Sequence, residues 1–158
     1  LLSGISPEKR EIVLQAIRHH NVKELPPGMG PNQLLCARLL RDADKLDIWR
    51  VIIMQRGRQT ELASVLDGNV PVDSAYSSQI IATLKAGKVA DFSAVKNQND
   101  MKLLRLGWIF DLNFAPSCSL VLKRRYIEKL CRLLPAVPEI RELKEYLISY
   151  LKNRIGTV

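Results

Sequence analysis

Histidine is nearly absent from this chain, occurring only as the adjacent pair His19 and His20. Cysteine is scarce as well. Cys36, Cys118 and Cys131 are odd in number, far apart and free of any Cys-x-x-Cys pair, which argues against a disulfide framework and against a zinc ribbon. They are expected to be reduced and buried. No apolar run approaches the roughly 18 residues that a membrane span needs, and no signal-peptide pattern opens the chain, so no membrane partner and a cytoplasmic location are expected. Also missing are a Gly-rich phosphate loop, a Gly-x-Ser-x-Gly elbow, a His-Glu-x-x-His pair and any internal repeat.

What is present suits a globular domain. The 158 residues are 47% hydrophobic and 25% charged, enough to bury a core without disulfides or a structural metal. A net charge of +8 favours anionic partners without choosing among phosphate esters, nucleic acid and acidic protein surfaces. The chain opens Leu1-Leu2-Ser3-Gly4 with no initiator methionine, reading as the tail of a helix closed by glycine and as part of a longer protein.

Ser6-Pro7-Glu8 is a helix start, with serine as cap, proline at the first helical position and an acid in the first turn. The apolar face of that helix is Ile12, Val13, Ala16 and Ile17, and its period carries at least one of His19 and His20 toward the core side as the helix ends at Asn21. Leu25-Pro26-Pro27-Gly28-Met29-Gly30-Pro31 cannot continue a helix and forms a stiff turn. From Leu34 to Ile52, leucine, isoleucine, valine and alanine recur at spacings of three and four, the pattern of one long helix.

Inside that run lies Arg41-Asp42-Ala43-Asp44-Lys45-Leu46-Asp47-Ile48-Trp49. Asp44 has Ala37 and Leu40 behind it and Ile48 and Val51 ahead of it on the same stripe. A carboxylate held away from water costs several kcal/mol unless it meets a cation, a metal or several donors. Asp44 therefore needs a partner, and the residues alone leave open a helix-to-helix salt bridge or buried hydrogen-bond network, or a metal or catalytic role. Asp42, four residues after Arg38, is expected on the solvated side, and Asp47 in a structural ion pair.

Beyond Met54, residues 55–74 read as a partly irregular insertion, followed by a helix from Ala75 to Ala86 with a stop at Gly87. Lys88 to Asn99 is polar and irregular. Asp100 is expected to cap a helix that is apolar nearly all round and runs on to Phe114, with Asp111 a second acid in apolar company. Ala115-Pro116-Ser117 breaks it. An amphipathic helix from Leu120 to Leu134 and a last helix from Glu139 to Arg154 complete an all-α bundle. The run Lys123-Arg124-Arg125 is too short for a nucleic-acid site and reads as a solvated helix face.

Ile12-Val13-Leu14-Gln15-Ala16-Ile17-Arg18-His19-His20-Asn21, followed by Leu39-Leu40-Arg41-Asp42-Ala43-Asp44-Lys45-Leu46-Asp47, resembles the second half of the HD-domain metal-dependent phosphohydrolases. The resemblance covers about the first 50 residues. It implies a helical bundle, with residues 1–55 the C-terminal half of an HD-type domain and residues 56–158 a helical extension packed on it. It implies Asp44 and His20 as ligands of a divalent metal (Mn, Fe, Mg, Zn, Co or Ni), with His20 also a catalytic group. Lys45 and His19 would contact the substrate phosphate, although Lys45 flanks Asp44 and leans toward another face. The family's first histidine and its His-Asp pair have no counterpart here and would precede Leu1. The expected activity is hydrolysis of a phosphomonoester, nucleotide or phosphodiester. The competing expectation is a non-enzymatic interaction or sensing module with a degenerate site.

Overall fold

The computed structural model describes residues 4–55, 68 and 70–156, and these fold entirely as helices, turns and connections. The helices are α1 (Pro7–Arg18), α2 (Pro31–Met54), α3 (Ser78–Lys85), α4 (Gln98–Leu106), α5 (Ala115–Lys123), α6 (Tyr126–Cys131) and α7 (Pro138–Gly156). Two short 3-10 turns, Phe92–Ala94 and Gly107–Asp111, join the set. The expected all-α bundle is what forms. Most of the expected 55–74 insertion lies outside the described residues. Among the described residues no helix is long and apolar enough to cross a membrane.

Local chemistry sets the ends of the first two helices. Ser6 caps α1 by accepting the Lys9 N–H, with Pro7 at the first position. At the start of α2 the Gln33 side chain accepts the Gly30 N–H at 2.9 Å, and Pro31 stands where no amide proton is needed. Glu8, Glu11 and Ile12 share a depression with Gly30 to Gln33, while Arg41 reaches the carbonyls of His19 and Val22. Start therefore lies beside start and end beside middle. The two helices run in the same general direction, and residues 19–30 return along them. That direction brings the end of α1 to the middle of α2.

The core forms around the second half of α2. Trp49 is fully buried and donates its indole N–H to the Arg105 carbonyl at 3.1 Å, as a buried indole requires. Trp108 and Tyr126 pack on its ring at 6.4 and 6.2 Å between centroids. Ile80, Ile81 and Leu84 from α3, Leu103 and Leu106 from α4, Val121 from α5, Ile127 and Leu130 from α6, and Leu143, Leu147 and Leu151 from α7 complete it. At Gly107 a Cβ would stand 2.5 Å from Leu84 Cδ2, so any larger residue there would have to push the buried Leu84 side chain aside.

Five expectations about local structure are corrected. Asp42 is not solvated: it is 2% exposed and accepts from the Asn113 and Phe114 amides and from Asn113 Nδ2, at 2.9 to 3.2 Å. It thus satisfies free N–H groups just before α5 from another helix, a cap supplied across the fold. Asp100 does not cap its own helix. Asn97 does, accepting the Asp100 N–H, while the buried Asp100 carboxylate takes Ser77 N–H, Ser77 O–H and Lys96 N–H. The helix expected from Asp100 to Phe114 ends at Leu106 and tightens into the 3-10 turn. The helix expected over Leu120 to Leu134 is interrupted at Arg125, which adopts a left-handed backbone conformation with φ 54°. Of the cysteines, Cys118 and Cys131 are buried as expected, but Cys36 is only partly buried.

Candidate functional site

A cleft of about 390 Å³ opens where the end of α1, the middle of α2, residues 89–92 and the α4 to 3-10 corner meet. Its polar lining includes His20, Lys23, Arg41, Asp44, Lys45, Asp91 and Asp111, and its apolar wall includes Ile48, Phe92, Leu104 and Trp108. His20 and Asp44, 24 positions apart in sequence, are thus brought to one cavity.

Arg41 builds the junction. Its side chain is 6% exposed, and the guanidinium holds the backbone of the α1 exit through the His19 and Val22 carbonyls while pairing with Asp111 at 2.6 Å. A planar five-donor group can serve carbonyls and a carboxylate together, which a lysine cannot do in the same plane. Lys45, one turn further along α2, lies 2.7 Å from the same Asp111 oxygen and donates to the Arg41 carbonyl at 3.3 Å. Placing both cations on the cleft wall is simple i, i+4 geometry. Lys45 therefore shares the cleft with Asp44 although it flanks it in sequence.

His20 is oriented by its own helix. Its Nδ1 lies 2.7 Å from the Ile17 carbonyl, which can only accept, so Nδ1 carries the proton and the neutral ring keeps its lone pair on Nε2. That tautomer leaves Nε2 as the nitrogen able to take a proton or a metal. His19 pairs through Nε2 with the Gln15 side chain at 3.1 Å and is not part of the cleft lining.

The acids around the site differ in how they are satisfied. Asp111 holds two cations, and Asp47 pairs with Arg50 at 2.9 Å on the surface as expected. Asp91 accepts from the Ser93 amide and hydroxyl and from Lys23 at 3.4 Å, contacts that hold its carboxyl below the ordinary range, the Ser93 amide first. Asp44, only partly exposed, has no hydrogen bond or ion pair among the described residues. The buried cations next to it on α2, Arg41 and Lys45, are held by Asp111 instead.

The resemblance implies a divalent metal on Asp44 and His20. Among the described residues no three His, Cys, Asp or Glu side chains come together as a metal site. A metal centre ordinarily takes three or more protein ligands, and the other cleft acids are committed to Arg41, Lys45, Lys23 and Ser93. The described residues therefore do not by themselves fit a metal. Arg41 and Asp111 are the site residues that sequence reasoning passed over. The signal for Arg41 was its spacing of four from Lys45; nothing local tied Asp111 to either cation.

Compared with known proteins, the chain matches no family model, no curated protein and no solved structure.

Proposed function

We propose that this cleft is one wall of a phosphohydrolase site of the HD type, in which Asp44 and His20 face the reacting phosphate group and Lys45 contacts its oxygens. The observation that carries the reading is the pairing of Asp44, a carboxylate without a partner among the described residues, with a histidine whose tautomer leaves Nε2 available, in a single cleft. The residue types suit the chemistry. An imidazole near neutrality can accept or deliver a proton, and an ammonium or guanidinium group offsets charge on phosphate oxygens. The apolar wall of Ile48, Leu104 and Trp108 would take the uncharged part of the ester. A metal would require ligands from outside the described residues.

A second reading is favoured by two observations. Arg41 and Lys45 are already neutralised in part by Asp111, and no metal-ligand trio is formed among the described residues, as a non-enzymatic sensing module with a degenerate site would have it. One experiment separates the two. Hydrolysis of p-nitrophenyl phosphate and nucleoside monophosphates is followed with each divalent metal added in turn, alongside metal content by elemental analysis, for the protein and for Asp44→Ala. Turnover lost in the variant supports the hydrolase. Unchanged rate and metal content in Asp44→Ala refute it, and binding without turnover leaves the sensing module.

A further inference from the structure

We infer that Asp111 is a built-in competitor of the phosphate group, a carboxylate that occupies Lys45 until an oxyanion displaces it and so sets how strong an anion the cleft accepts. The inference rests on the reading of the cleft as a phosphate site. Its own ground is the geometry of the Arg41, Asp111 and Lys45 cluster. One oxygen, Asp111 Oδ2, meets Arg41 at 2.6 Å and Lys45 at 2.7 Å. The two cations are sunk, with side chains 6% and 9% exposed, whereas Asp111 is 30% exposed and forms the water side of the cluster. Lys45 has three N–H donors, of which one goes to Asp111 and one to the Arg41 carbonyl. The third has no partner among the described residues, and the residue lines the cleft.

Charge makes the competition effective. On the α2 side of the cleft two cations, Arg41 and Lys45, face two carboxylates, Asp44 and Asp111, and the sum is zero; Lys23 and Asp91 cancel at the rim. With Asp111 made neutral the same wall carries one net positive charge. An arriving phosphate dianion meets the third donor of Lys45 directly, but gains the ammonium's unshared charge and a second donor only by exchanging with the Asp111 carboxylate, which has water available on its exposed side. Arg41 keeps its carbonyl partners throughout and continues to hold the His20 loop. Asp111 is thus a specificity-determining residue. It screens out weakly charged anions such as chloride or simple carboxylates and admits those that bind a cation better than a carboxylate does.

Inorganic phosphate is the probe, titrated by calorimetry into the wild-type chain, Asp111→Asn, Asp111→Ser and Lys45→Met, with sulfate and ionic-strength-matched potassium chloride as controls. Both Asp111 variants are expected to bind phosphate roughly five- to tenfold more tightly than wild type, and Lys45→Met at least about fivefold more weakly, the scale of one partly screened charge. If wild type binds and Lys45→Met does not, but the Asp111 variants bind no more tightly, the competitor role is overturned and the phosphate cleft survives. If no form binds phosphate, or chloride at matched ionic strength reproduces the effect, the cleft reading falls and this inference with it. An Asp111 variant that is unfolded alone but refolds in phosphate supports the proposal through linkage; one that stays unfolded in 100 mM phosphate, roughly the highest useful concentration, counts against it.

Discussion

Replacing Asp42 by alanine should unfold this protein more readily than any other single acid substitution on α2. The carboxylate is 2% exposed and accepts from the Asn113 N–H, the Asn113 side-chain amide and the Phe114 N–H. Alanine leaves those donors beside a buried void that water reaches poorly. Hydrogen bonds to a charged group contribute about 1.5–3 kcal/mol each, and stranding buried donors costs about 1–3 kcal/mol per group. The terms are not additive, and Asn113 keeps its contact to the Asp111 carbonyl at 3.2 Å, so the expected loss is about 3–4 kcal/mol. For a chain of this size that corresponds to a fall in melting temperature of roughly 6–16 °C. Asp42→Asn, which keeps an acceptor but loses the charge at the start of α5, should cost about half as much. The assay is urea unfolding followed by circular dichroism, with Asp47→Ala as the comparison. Asp47 is exposed and pairs only with Arg50, so its variant should fall within about 0.5 kcal/mol of wild type. Equal effects at positions 42 and 47 would refute the assignment of Asp42 as a cap supplied across the fold.

Four further outcomes follow from the same structure. Asp44→Ala should leave stability within about 0.5 kcal/mol of wild type or raise it, because no partner among the described residues is lost; a drop above about 2 kcal/mol in the same urea assay would expose a structural role. Burial pushes the Cys131 thiol up to about 12 from an ordinary value of 9.0, and burial also raises Cys118, so iodoacetamide at pH 8, roughly neutral for these thiols, should label Cys36 first by peptide mass mapping. The same shift sets a pH window: below about 9 the thiol is protonated in both states, and between about 9 and about 12 only the unfolded chain loses the proton, so stability falls with a slope of up to about 1.4 kcal/mol per pH unit from this group. Gly107→Ala should cost about 1–3 kcal/mol, since the added methyl would meet Leu84 Cδ2 in the core; an unchanged melting temperature would show that Leu84 can give way.

The helices were legible where periodicity and caps agree. Ser6-Pro7 opens α1, Gly87 follows α3 in a left-handed conformation, and the spacing from Leu34 to Ile52 lies within α2. Legibility failed where a side chain serves a distant element. Nothing near Asp42 in sequence shows that Asn113 will lie against it 71 positions later, so proximity to Arg38 suggested a surface pair. Asp100 misled for the same reason, its carboxylate being taken by Ser77 and Lys96 rather than by its own helix. The break at Arg125 carries no glycine or proline to announce it. At the site, the placing of Asp44 on a helix and His20 at a helix end could be read from sequence. Their convergence could not, because it depends on α1 and α2 running in the same direction and on Arg41 fastening the α1 exit.

The central claim is that His20 and Asp44 serve one phosphate group in one cleft. A double-mutant cycle on the hydrolysis of p-nitrophenyl phosphate, comparing kcat/KM for wild type, His20→Ala, Asp44→Ala and the double variant, addresses it directly. Residues acting as a unit should give a double variant no slower than the worse single variant, a coupling well above about 1 kcal/mol. Losses that multiply, or single variants that match wild type, would contradict the account.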